Sequence, residues 1–98
     1  MTLEQFWSRV FSLCLRHQGS WTSGLRTKKR NTLKGGKPNS RHQSGYAMDV
    51  VLDNMGDDAF HAFAVDAEMI DIRAVDERAT RGHIHCQPTD PDIGRVYP

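Results

Sequence analysis

Residues 46–52, YAMDVVL, constrain the fold of this chain more than any other stretch. Side chains alternate across a strand, so Ala47, Asp49 and Val51 fall on one face and Met48, Val50 and Leu52 on the other. The apolar company predicts that the strand is buried, and Asp49 with it. A buried carboxylate is costly unless a cation or a metal meets it. The plainer alternative is an Asp satisfied by hydrogen bonds in a nearby turn.

The elements around this strand indicate an α+β domain. Residues 2–17 have Leu3, Phe6, Trp7, Val10, Phe11, Cys14 and Leu15 at helical spacing, and Thr2 with Gln5 fits a capping box. Gly19 is placed to end that helix, and Ser20–Ser23 reads as a short strand closed by Gly24. Asn54–Gly56 turns the chain into a second helix over Asp57–Glu68, whose leading acids suit a helix N-terminus. Ile70–Val75 and His83–Gln87 alternate as two further strands, with Gly82 breaking the chain between them. The tail from Pro88 to Pro98 reads as irregular. A small, mainly antiparallel sheet follows, with helices on one face and a metal cleft on the other, in one domain over residues 1–98.

Charge is divided unevenly along the chain. Residues 1–50 hold nine Lys and Arg against Glu4 and Asp49, whereas residues 51–98 hold four Arg against ten acids. The two halves can face each other in a compact fold, so the asymmetry alone implies no partner. Residues 25–40, LRTKKRNTLKGGKPNS, are basic and punctuated by Gly and Pro, and read as a long surface loop. Loops of this length in small domains are commonly functional or disordered. Cys14 and Cys86 are too few for a disulfide scaffold and are read as buried or half-buried free thiols. No apolar run is long enough to span a bilayer. The first residues do not have the form of a secretion signal, so synthesis in the cytoplasm without a signal peptide is expected.

The strand GHIHC directs His83 and His85 to one face and Ile84 and Cys86 to the other. Such a strand can present imidazoles while anchoring itself in a core; equally, it can be a solvent-facing strand with two His by coincidence. Upstream, His42 precedes Asp49, and Ser44 and Gly45 allow the backbone to fold its imidazole back toward that carboxylate. Two His and one Asp form an N/O ligand set that suits zinc and leaves a fourth position open, the arrangement of a catalytic site. His17, at the end of the first helix, and His61, within the second, have no comparable context and read as structural or surface residues.

The pattern S-x-H-x-x-G-x-A-x-D, formed by Ser40, His42, Gly45, Ala47 and Asp49 and followed by H-x-H at His83 and His85, resembles the zinc D-alanyl-D-alanine metallopeptidases. These are peptidoglycan peptidases to which the Hedgehog signalling domain is structurally related. The run TSGLRT…RN…GG-x-PNS resembles the segment that precedes the motif in those enzymes. The resemblance implies that His42, Asp49 and His85 ligate zinc, and that Arg26 and Ser40 bind the carboxylate end of the substrate. A guanidinium fork suits bidentate carboxylate binding. His83 then lies beside the metal, where it can stabilise an oxyanion or move a proton. The pattern is incomplete in one place: many relatives have an Asp or Glu shortly before the final His as the base, and residues 79–82 contain none. Glu77 is the candidate base if a flexible ATRG segment lets it reach back.

The implied function is zinc-dependent hydrolysis of a peptide bond in bacterial peptidoglycan, of the D-Ala-D-Ala carboxypeptidase or L-Ala-D-Glu endopeptidase type. A monomeric phage lysin acting at the cell wall, with no nucleic-acid or membrane partner, fits the small size. One alternative is a catalytically inactive zinc-containing module that recognises cell wall or protein. Another is a nucleic-acid binder using Lys28–Lys37, although that loop has no aromatic residue for base stacking.

Overall fold

A computed structural model describes residues 1–24 and 40–96. Helix α1, Leu3–His17, begins at the predicted capping box: Thr2 Oγ1 accepts the Gln5 N–H at 3.1 Å, and Gln5 Oε1 accepts the Thr2 N–H at 2.8 Å. The residue that ends it is Gln18, left-handed at φ 53°, and not Gly19. Gly19 opens strand β1, Gly19–Ser23, where a Cβ would stand 3.0 Å from the Leu52 side chain. The inward face of α1 consists of Phe6, Val10, Leu13 and Cys14. Phe11 and Leu15, counted with the apolar stripe in the sequence, lie on its outer side.

After β1 the described chain resumes at Ser40 and forms β2, Met48–Leu52, then α2, Asp57–Met69. Strand β3, Ile72–Glu77, a one-turn helix α3, Arg78–Arg81, and β4, His83–Pro88, complete the order. The sheet runs β1-β2-β4-β3, and all neighbours are antiparallel. The α+β class expected from the sequence is what the chain adopts.

Helix α1 packs on β1, β2 and β3 and against α2, which itself covers β3. Both helices therefore bury one face of the sheet. Met48, Val50 and Leu52 of β2, Ile72 of β3, and Ile84 and Cys86 of β4 meet Phe6, Val10, Phe63 and Ala67 in that layer. Phe6 and Phe63 are fully buried, which stabilises the fold by about 1.5–3 kcal/mol each. Alternation then directs Asp49, His83 and His85 to the opposite face.

Strand β3 starts two residues later than the sequence suggests. The Ile70 N–H closes α2 on the Ala67 and Glu68 carbonyls, and Asp71 takes a left-handed φ of 61° before extended backbone can begin. At its other end, pairing with β4 carries the strand on through Glu77, two residues past Val75. Helix α3 returns the chain into β4, and Gly82 supplies the required left-handed residue at φ 73°. Arg78 fixes this corner: Nε donates to Asp76 Oδ1 at 2.9 Å, Nη1 to the Met55 carbonyl at 2.8 Å, and Nη2 to Asp57 Oδ1 at 3.1 Å. Its guanidinium also lies 4.5 Å from the Phe60 ring centroid. Most of the ATRG segment, through which Glu77 was to reach back, is a helical turn, and the residue before it is the one that Asp76, Met55 and Asp57 hold.

Other expectations hold. Cys14 and Cys86 are buried free thiols, both pushed up in pKa by burial. His17 bonds Asp66 at 2.7 Å and meets the Phe63 ring edge-on, while His61 is exposed. No described helix is long and apolar enough to cross a membrane. The tail after β4 forms turns that buttress residues 41–44: Ser44 Oγ donates to the Gly94 carbonyl at 2.8 Å, and Arg41 Nε to the Ile93 carbonyl at 3.2 Å.

Candidate metal centre

Strand register assembles most of the site. Antiparallel pairing sets Asp49 of β2 opposite His85 of β4, and Glu77 of β3 opposite His83 of β4. Directly opposed residues in a sheet have side chains close enough to interact. Three strands therefore bring two carboxylates and two imidazoles to one face.

His42 arrives from outside the sheet, on a 3₁₀ turn over Arg41–Gln43. Ser40 caps that turn, its Oγ accepting the His42 N–H at 3.2 Å. Gly45 then reverses the chain toward β2 at φ 84°, a conformation that side chains with a Cβ rarely adopt. A Cβ there would also stand 3.0 Å from Leu3 Cδ1. The Trp7 indole N–H donates to the Gly45 carbonyl at 2.7 Å, tying the turn to α1.

Three ring nitrogens converge on a single oxygen. His42 Nε2 and His85 Nδ1 each lie 3.3 Å from Asp49 Oδ1, and His83 Nε2 lies 3.4 Å from it. His42 and Asp49 are buried, at 2% and 3% exposure, whereas His83 and His85 are partly open. The site is therefore closed on the His42 side and accessible along β4. Burial pushes the Asp49 carboxyl upward, but the imidazoles gathered around it outweigh that cost. The net effect holds Asp49 below the usual carboxylate range.

The outer partners of the rings indicate what the centre is built to hold. His42 Nδ1 lies 2.7 Å from the Gly24 carbonyl. A carbonyl only accepts, so Nδ1 bears the hydrogen, and the metal-ligating form of the ring is the tautomer whose lone pair is on Nε2, facing Asp49. That nitrogen is buried with no hydrogen-bond partner. A lone pair facing a carboxylate across 3.3 Å in a buried setting is unfavourable until a cation lies between them. His42, Asp49 and His85 can hold such an ion, their ligand atoms lying within 4.8 Å of one another. Two imidazoles and a carboxylate are a zinc-type donor set. This donor chemistry and the orphaned nitrogen both fit a metal.

Asp49, Glu77 and His83 form a second such group. Glu77 Oε1 lies 2.8 Å from His83 Nε2. The carboxylate that seemed distant in the sequence stands beside the centre because β3 and β4 pair in this register, with no need of a mobile segment. Five of the residues singled out from the sequence, His42, Asp49, Glu77, His83 and His85, thus meet in one place. Ser40 sits at the edge, holding the His42 turn. Arg26 and the basic segment Lys28–Lys37 lie outside the described residues. Gln87 was not foreseen: its Oε1 lies 3.0 Å from His85 Nε2. Its position two residues after His85, on the same strand face, was the available signal.

A His–Asp–His cluster with two buried members, beside a His–Glu pair, offers the donors that a metal ion could use. The family model described as Peptidase M15 matches residues 18–87, which include every one of these residues, and the chain belongs to this metallopeptidase family. No curated protein and no solved structure matches the chain.

Proposed function

We propose that this chain hydrolyses a peptide bond in bacterial peptidoglycan, with zinc held by His42, Asp49 and His85. The observation that supports it most is the convergence of His42 Nε2 and His85 Nδ1 on Asp49 Oδ1, each at 3.3 Å, next to the Glu77–His83 pair. A zinc ion held there supplies a Lewis acid that activates water and polarises the scissile carbonyl. Glu77 takes the proton of the attacking water and later delivers it to the leaving amine. His83 Nε2 holds the Glu77 carboxylate in the resting site, and its N–H turns to the oxygen of the tetrahedral intermediate once Glu77 has taken up the proton. Arg26 and Ser40 bind the free carboxylate of the substrate and set its register; Ser40 Oγ, which accepts from the His42 N–H, can still donate outward.

The substrate proposed is a D-Ala-D-Ala terminus or an L-Ala-D-Glu linkage, and the setting is a phage lysin acting on the wall. The reading as an inactive recognition module depended on a missing base. The closeness of Glu77 to His83, 2.8 Å, supports a reading in which Glu77 is that base. The test is digestion of purified muropeptides by the zinc-loaded chain, followed by mass spectrometry. Release of D-Ala, or cleavage after L-Ala, is expected. A zinc-loaded protein that leaves every muropeptide intact contradicts the proposal.

A further inference from the structure

The two imidazoles nearest Asp49 present different nitrogens. His42 faces it through Nε2, with Nδ1 held by the Gly24 carbonyl; His85 faces it through Nδ1, with Nε2 against Gln87 Oε1 at 3.0 Å. A backbone carbonyl holds His42, and no side-chain substitution can remove it. His85 depends on a side chain. Its ring stands on a strand, where rotation about χ2 would exchange Nδ1 for the ring carbon and turn the donor away from Asp49. A ring with a hydrogen-bond acceptor at one nitrogen is fixed in both orientation and tautomer, and its opposite nitrogen is the better ligand.

We infer that Gln87 is a positioning residue for the metal centre: its side-chain carbonyl accepts the His85 Nε2–H and thereby aims the His85 Nδ1 lone pair at the ion shared with Asp49. Three features of the chain favour this role. Gln87 follows His85 by two residues on β4, so both side chains leave the same face of the sheet. The intervening Cys86 is fully buried in the core and anchors the strand between them. Gln87 is itself half-buried, which limits competition from bulk water for the His85 N–H.

The inference rests on zinc being held by His42, Asp49 and His85, and zinc affinity of the full chain tests it by competition with a chromogenic chelator. Gln87→Leu keeps the bulk and removes the acceptor; Gln87→Glu keeps an acceptor. Gln87→Leu is expected to weaken zinc binding by about 10–100-fold, the usual consequence of losing an outer partner of a ligating His. Gln87→Glu is expected to retain tight binding. Nitrogen-15 NMR of the zinc-loaded protein adds a readout that a purely structural role would not move. The His85 Nε2–H signal, protected from exchange in the parent chain, is expected to exchange rapidly in Gln87→Leu. Affinity in Gln87→Leu equal to that of the parent, or equal loss in both variants, would overturn the role of Gln87 while leaving the zinc site intact. A parent chain that binds no zinc would overturn the site and this inference together.

Discussion

Glu77 and His83 face each other across the β3–β4 pair, with Oε1 and Nε2 2.8 Å apart. The same His83 nitrogen lies 3.4 Å from Asp49 Oδ1, so this pair adjoins the carboxylate at the heart of the centre. Sequence spacing gives no hint of this closeness, because α3 and Gly82 occupy the residues between them. The relationship follows from hairpin register, and the tasks proposed for Glu77 and His83 can be tested separately.

Glu77→Gln removes the proton acceptor but keeps the shape. It is expected to bind zinc like the parent chain and to hydrolyse muropeptide more slowly by about 10²–10⁴-fold, the range for loss of a general base. Parallel measurement of zinc content and turnover checks this. An unchanged rate would clear Glu77 of the role.

His83→Ala is expected to keep zinc and to lose about 10²–10³-fold in turnover, as for loss of an oxyanion donor. Loss of the metal would instead mean that His83 is a ligand and His85 its neighbour. Metal analysis of His83→Ala and His85→Ala side by side separates the two assignments.

Gly45→Ala forces a Cβ into a backbone at φ 84° and to 3.0 Å from Leu3 Cδ1. Destabilisation by about 1–3 kcal/mol is expected, read by urea unfolding of the metal-free protein. The same turn presents His42, so zinc affinity should fall along with stability. Stability equal to that of the parent would show that the turn tolerates a side chain and that its geometry differs from the one described.

Acid should loosen the corner beside Glu77. Hydrogen bonds from the Arg78 side chain and backbone hold the Asp76 carboxyl at about 2, below its ordinary 3.8. A carboxyl lowered by folding contributes stability that is present above pH about 4 and is lost as pH falls toward 2. Asp76 is solvent-exposed, so salt should weaken the effect. Thermal midpoints of the parent and Asp76→Asn, compared across that pH window at low salt, should converge as pH falls. A constant gap between them would remove this ion pair from the acid response.

Much of the architecture is legible in the chain because local patterns and tertiary packing agree. Thr2 and Gln5 fix the start of α1, and the alternation of β2 and β4 separates the core residues Val50 and Ile84 from Asp49 and His85. Boundaries are less legible where a neighbour decides them. Residues 70 and 71 fit the alternating pattern of the strand, yet Ile70 is drawn into the cap of α2 and Asp71 is left-handed. The apolar stripe of α1 likewise admits two rotations, and packing against the sheet selects the one that buries Leu13 and exposes Leu15. In the centre, the ligand types were readable from residue chemistry. The approach of Glu77 and the Gln87–His85 bond were not, since both depend on pairing register and side-chain direction that spacing alone does not reveal.

The most direct measurement of the central claim is zinc content after equilibrium with limiting free metal, in the parent chain and in His42→Ala, Asp49→Ala and His85→Ala. The proposed centre predicts about one tightly held zinc per chain in the parent, near loss in each variant, and a lower thermal midpoint on chelation because bound metal contributes to folding stability. A parent chain without zinc, or unchanged metal content in the three variants, would contradict it.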